Sequence, residues 1–170
     1  MPEQAQFQIL FAFHWRNNRL MLEGAAKLSE KDYHATPGYG HGSVHDLLFH
    51  ILRTDKDWRI ALETGHQQAP TRPEEYPTLA ALREGYAIEQ ASWKALLASY
   101  SDAQIDGDIS LTTYRGQTMV MPLWRILQHL VLHGMQHQAE LAQLLTARGF
   151  SPGDIDFIFY NEQVDKGTNP

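Results

Sequence analysis

Apolar and polar positions divide the chain into four helical stretches and one short extended insert. The first covers residues 4 to 27, where Phe7, Phe11, Leu22 and Ala25 recur at three- and four-residue spacing. The same stripe carries His14 and Asn18, so two polar residues sit on an apolar seam. They are candidates to line a pocket; a buried Asn that fixes helix register is the alternative. Pro37, Gly38, Gly40 and Gly42 stop this helix and make 29 to 42 a connection. Ser43 is a good N-cap, and Asp46 three residues later completes a capping-box pattern ahead of Leu47, Leu48, Ile51 and Leu52. This second helix is expected to stop at Gly65.

Pro70, Pro73 and Pro77 make 66 to 77 a surface connection. A third helix runs from Thr78 to about Ser101, with Leu79, Leu82, Tyr86, Trp93, Leu96, Leu97 and Tyr100 tracing one face. Alternation over Ile109 to Tyr114 and again over Thr118 to Met121, around Arg115-Gly116-Gln117, predicts a small β-hairpin. Pro122 and Gly149 then bracket the longest helical pattern, carrying Leu123, Leu127, Leu130, Leu141 and Leu145. Beyond it, Ile155, Phe157, Ile158 and Phe159 are too apolar for a free tail and are expected to pack on the helices. The four tryptophans fall one per helix, which reads as core.

With 170 residues, 43% of them hydrophobic and 11% aromatic, the chain can bury a core as one domain spanning 1 to 170. A formal net charge of −6 with 14 scattered Lys and Arg gives no footprint for phosphate backbones, so neither nucleic acid nor anionic membrane is an expected partner. The uncharged stretch from Ile126 to Ala139, 14 residues, is too short to span a bilayer. No basic residue precedes the apolar run from Phe7 to Phe13 and no small-residue cleavage site follows it, so it does not read as a signal peptide and a cytoplasmic location is expected. The absence of cysteine excludes disulfides, thiol nucleophiles and sulfur-ligated metals, which leaves nitrogen and oxygen to hold any ion.

The nine histidines change the picture. His129, His133 and His137 follow one another at four-residue intervals on the last helix, so neighbouring imidazoles can reach one ion. At about 100° per residue, His137 lies roughly 50° from the centre of the leucine stripe, His133 about 90° and His129 about 130°. The pair facing the interior is therefore His133 and His137, with His129 on the rim. A third ligand must come from another helix. His14, His45 and His50 are the candidates, and the last two lie on opposite sides of the second helix, each about 100° from its apolar centre. His34, His41 and His66 fall in connections and read as exposed polar residues. Gln136, Gln138 and Glu140 read as the wet face of the last helix in preference to groups that orient an imidazole.

Sharper motifs are missing. His133-Gly134-Met135-Gln136-His137 lacks the Glu of a zinc protease helix. The one Glu-x-x-His run, Glu63 to His66, does not make a di-iron carboxylate site. There is no phosphate-binding or dinucleotide-binding glycine loop and no nucleophile elbow.

Four stretches together resemble the DinB-like (damage-inducible, YfiT-like) metalloenzyme family. They are Trp15-Arg16-Asn17-Asn18-Arg19-Leu20, the run from Gly42 to Ile51, the run from Gln128 to His137, and Asp154-Ile155-Asp156-Phe157. The resemblance implies an all-α antiparallel four-helix bundle with a short hairpin before the fourth helix, often dimeric. It also implies a divalent metal held by one His of the second helix and a His-x3-His pair of the fourth. Matched to this sequence these are His50, His133 and His137, so the family pattern prefers His50 to His45. Many members follow the last ligand with Arg-Gly-Gln, whereas Gln138-Ala139-Glu140 stands here. Three imidazoles leave a coordination position open, as in catalytic sites, and suit zinc or nickel. The family pattern implies a metal-dependent transferase or isomerase that acts on a small molecule, activating water or a small thiol cosubstrate. A non-catalytic, metal-binding stress-response bundle is the alternative, and the acidic balance speaks against DNA repair.

Overall fold

A computed structural model describes residues 3 to 38 and 40 to 160. Six helices are present among them: α1 (Glu3–Ala25), α2 (Glu30–His34), α3 (Val44–Thr64), α4 (Leu79–Ser99), α5 (Asp102–Asp106) and α6 (Leu123–Ala147). An antiparallel pair, β1 (Asp108–Thr112) and β2 (Thr118–Pro122), joins α5 to α6, with Asp108 opposite Pro122 and Thr112 opposite Thr118. The protein is thus mostly helical, with one small two-stranded sheet. Each of α1 and α3 packs against both α4 and α6. Leu47, Leu48, Ile51 and Leu52 of α3, Leu82 and Trp93 of α4, and Leu127, Leu130 and Leu141 of α6 fill the space between them.

Local chemistry explains where the long helices start and stop. The Ser43 hydroxyl accepts from the Asp46 N–H while the Asp46 carboxylate accepts from the Ser43 N–H, a complete capping box that fixes the first turn of α3. Gly65 ends the helix in the left-handed conformation, φ +76°. Thr78 caps α4 through the Ala81 N–H.

Two helices go beyond the sequence pattern. Ser29 caps α2, and Ser101 caps α5, but each runs for only five residues. A helix this short is unstable by itself. Burial of one side chain, Tyr33 in α2 and Ile105 in α5, anchors each, and a single apolar residue produces no periodicity. The connection after α3 is also more ordered than its prolines suggest. It starts with a bridge between His66 and Thr112 that ties the hairpin edge to the end of α3.

The C-terminal aromatic run packs only in part. Ile155 lies against the core and the Phe157 ring meets Phe13 at 5.1 Å, but Ile158 and Phe159 are exposed. One 3-10 turn over Phe157–Phe159 points its side chains in three directions, so the helices can cover only one of them. Trp124 likewise departs from the expected core position and is 38% exposed. Among the described residues, no helix is long and apolar enough to cross a membrane.

Candidate metal centre

Packing of α3 on α6 brings three imidazoles face to edge. His50 Nε2 lies 3.0 Å from His133 Nε2. Ring centroids are 4.9 Å apart for His50 and His133, 4.6 Å for His50 and His137, and 4.5 Å for His133 and His137. The four-residue spacing on α6 stacks the last two one turn apart. His45 is on the other side of α3, where its Nε2 lies 3.0 Å from the Tyr76 carbonyl oxygen. His129 is exposed at the rim, its ring 5.5 Å from that of His133.

A fourth imidazole joins them from the connection before α3. The His41 ring stacks on His50 at 5.3 Å and meets His137 edge-on at 4.3 Å. His41, His50 and His137 can each offer a ring nitrogen within 4.8 Å of the others, a group able to hold a metal ion. His41 is exposed, as its loop position suggests, yet it belongs to the cluster. The only trace in the sequence is its place between two glycines immediately ahead of the Ser43 cap. Glu140 corrects the reading of α6 in the same way. Its carboxylate is not on a wet face but lies 3.2 Å from His41 Nδ1 and 3.5 Å from His137 Nδ1.

The environment favours the neutral form of the three helix-borne rings. Burial pushes His50 down to about 4 and His133 down to about 3, with the neighbouring His137 imidazole lowering both further. Burial lowers His137 too, and Glu140 works against that shift. Neutral imidazole is the form that ligates. The guanidinium of Arg53 can only donate, and at 3.2 Å from His50 Nδ1 it makes that nitrogen an acceptor. The His50 proton then sits on Nε2 and points at His133. Ligation through that nitrogen requires the proton to move to Nδ1 and Arg53 to turn away. His137 Nδ1 is buried without a hydrogen-bond partner, since Glu140 at 3.5 Å attracts it but is too poorly placed to bond. Such an atom costs about 1–3 kcal/mol unless something accepts its lone pair or proton. Four clustered nitrogen donors with one orphaned buried nitrogen fit a borderline divalent cation.

The same shifts predict a pH dependence. Below the ordinary histidine value of 6.5 the unfolded chain takes up protons that His50 and His133 refuse in the folded state. Their contribution to stability is therefore complete above pH 6.5 and is lost as pH falls toward 4 and then 3. Urea denaturation of the metal-free protein at pH 7, 6 and 5 should show this decline. It should be shallower in a His50→Gln/His133→Gln variant; equal slopes would contradict the assignment.

Behind the imidazoles lies a buried polar network that takes up both polar residues of the α1 seam. His14 Nε2 lies 2.9 Å from Asp55 Oδ2 and 3.0 Å from Asn18 Nδ2. The Gln138 amide nitrogen donates to Asn18 Oδ1 at 2.7 Å and to the His14 carbonyl at 3.1 Å, and lies 3.3 Å from His14 Nδ1. Asn17 reaches Gln138 Oε1 at 3.4 Å. His14 and Asn18 are each 1% exposed and Gln138 is fully buried, so the first two tie α1 to α3 and α6, and Gln138 is no wet-face residue. Burial raises the Asp55 carboxyl, and the His14 contact opposes the rise. Gly134 makes room for this arrangement: a Cβ there would lie 2.3 Å from two atoms of the His14 ring. A cavity of about 480 Å³ between α1 and α4, lined by Phe11, Trp15, Lys94 and Leu97, contains none of the clustered histidines. The candidate chemistry therefore stays with the imidazoles.

Comparison with known proteins gives a family and a similar fold. The model of the DinB family matches residues 1–167. The crystal structure of a DinB-like protein from Bacillus subtilis, YjoA, is similar in fold, with a TM-score of 0.60 and 20% sequence identity over 82% of this chain and 92% of that one. No curated protein matches the chain.

Proposed function

The chain belongs to the DinB family, and from that premise we propose that it binds a divalent metal through His50, His133 and His137 and works as a metal-dependent transferase or isomerase on a small molecule. The observation that carries the reading is the set of mutually close, neutral imidazoles on α3 and α6. The pairwise packing of α1 and α3 on α4 and α6 supports an antiparallel four-helix bundle with this site between two of its helices. Zinc or nickel suits the donors. When bound, such an ion lowers the pKa of a coordinated water or thiol enough for it to act as a nucleophile at neutral pH. With no cysteine in the chain, a thiol has to come as a small cosubstrate. Glu140 contributes the negative charge and the hydrogen-bond acceptor that orient His41.

A second reading, a metal-binding stress-response bundle without turnover, is favoured by the fourth imidazole, because sites with all positions filled by protein are structural. Two measurements separate the readings. Elemental analysis of untagged protein should find about one zinc or nickel per chain; its absence after metal addition would sink both. Transfer of a small thiol to a chromogenic electrophile should then depend on the metal, and a metal-loaded protein without turnover would favour the second. A homodimer is part of the proposal, supported by the exposed apolar side chains Val120, Trp124 and Leu132 at and beyond the start of α6. Neither duplex DNA nor a membrane is a proposed partner, given the net charge of −6.

A further inference from the structure

Three of the four clustered imidazoles and the fourth differ in how they are held. His50, His133 and His137 stand on the long helices α3 and α6, which carry core residues on either side of them. His41 stands on the connection ahead of α3, its side chain 46% exposed. Gly40 and Gly42 flank it at φ +67° and +100°, backbone conformations that L side chains rarely adopt. A Cβ at Gly42 would also lie 2.6 Å from the Asp46 carboxylate that closes the capping box. The chain is therefore anchored immediately after His41 and free of side-chain packing immediately around it. What holds the imidazole in place is the face of His50, the edge of His137 and the contact to Glu140 at 3.2 Å. Glu140 is itself 30% exposed, and a partly exposed pair of this kind is weak.

Resting on the metal-binding reading above, we propose that His41 is a fourth, exchangeable ligand of the centre formed by His50, His133 and His137. Glu140 engages Nδ1 of His41, which leaves Nε2 for the ion, the arrangement by which a carboxylate sets the ligating nitrogen of an imidazole. In the resting protein His41 fills the position that an open site keeps for water or substrate. A small thiol would take that position as its thiolate, releasing its proton to solvent and displacing the imidazole, while the three helix-borne ligands stay. The apparent affinity for the thiol is then reduced by the fraction of time His41 is bound. Glu140 is a positioning residue in this exchange.

The test uses the full-length protein loaded with cobalt(II) as a spectroscopic stand-in, with zinc affinity measured by chelator competition and 2-mercaptoethanol as the thiol. His41→Ala should bind zinc about tenfold more weakly, change the visible cobalt spectrum, and bind 2-mercaptoethanol more tightly, also about tenfold. Glu140→Gln should shift all three readouts in the same direction by less. The metal-free variants should melt with the wild type, because neither side chain is part of the core. Wild-type zinc affinity and an unchanged cobalt spectrum in His41→Ala would overturn the exchange. His133→Ala separates the two levels: if it retains metal, the three-histidine reading itself fails. If it loses metal while His41→Ala behaves as wild type, only the fourth ligand is lost.

Discussion

Replacing His133 with alanine should remove most of the thermal stabilisation that zinc or nickel gives the protein, while leaving the metal-free fold intact. The His133 ring is half-buried and its recorded hydrogen bond is to His50, so its loss opens no large cavity in the core. The effect is therefore one of linkage. At a metal concentration about 1,000 times the dissociation constant, binding stabilises the folded state by about 4.1 kcal/mol. For a chain of this size that corresponds to a rise in Tm of roughly 8–16 °C. Removing a group that merely orients a ligand weakens binding about 10–100-fold, and removing one of the three helix-borne ligands should do no less than the upper end of that range. A 100-fold loss at the same metal concentration leaves about 1.4 kcal/mol, or a rise of roughly 3–6 °C. Differential scanning fluorimetry with and without metal would read the difference directly. His129→Ala, at the exposed rim, should keep the full rise. An unchanged rise in His133→Ala would remove His133 from the ligand set.

The second large effect is expected at Gly134, which lies between the two ligand positions of α6 but acts through its packing. Alanine there would place a Cβ 2.3 Å from both Cε1 and Nδ1 of the His14 ring. That ring cannot retreat, because Asp55, Asn18 and Gln138 all engage its nitrogens. Either the helices separate or the network breaks. Overpacking a closed core costs about 1–3 kcal/mol, and each buried polar group left unpaired costs about 1–3 kcal/mol more. Gly134→Ala should thus destabilise by roughly 3–5 kcal/mol, read as a lower urea midpoint at unchanged slope. Removing the obstacle should relieve part of it. The His14→Ala/Gly134→Ala pair should be less destabilised than the sum of its single variants. Strict additivity would mean that the crowding at 2.3 Å does not govern this site.

How much of this was legible in the sequence varied with the range of the forces involved. The start of α3 at Ser43, its stop at Gly65 and the hairpin ahead of α6 are set by neighbours within four residues, and pattern reading located them. The His133 and His137 pair follows from helical periodicity alone. The choice of His50 over His45 did not, because both flank the apolar stripe of α3 symmetrically; family resemblance preferred His50, and the structure places it beside the α6 pair. His41 leaves no such signal, because a loop residue has no periodicity; its position depends on how the connection crosses the end of α6. Gln138 looks exposed in the sequence because the leucine stripe of α6 marks only part of its buried arc. Both α1 and α3 lie against α6, and Gln138 faces α1. A polar residue on that second contact looks like surface until the partners that satisfy it are known.

Gln138 also sets what the position after the last imidazole can accept. Position 138 follows the last imidazole directly, where many members of the family carry arginine. Here its neutral amide is fully buried, giving hydrogens to Asn18 and His14 and receiving one from Asn17. A guanidinium introduced at that point would bring an obligatory positive charge and further donors into a space whose acceptors are already committed. Gln138→Arg by itself should therefore destabilise the fold unless its partners on α1 change with it.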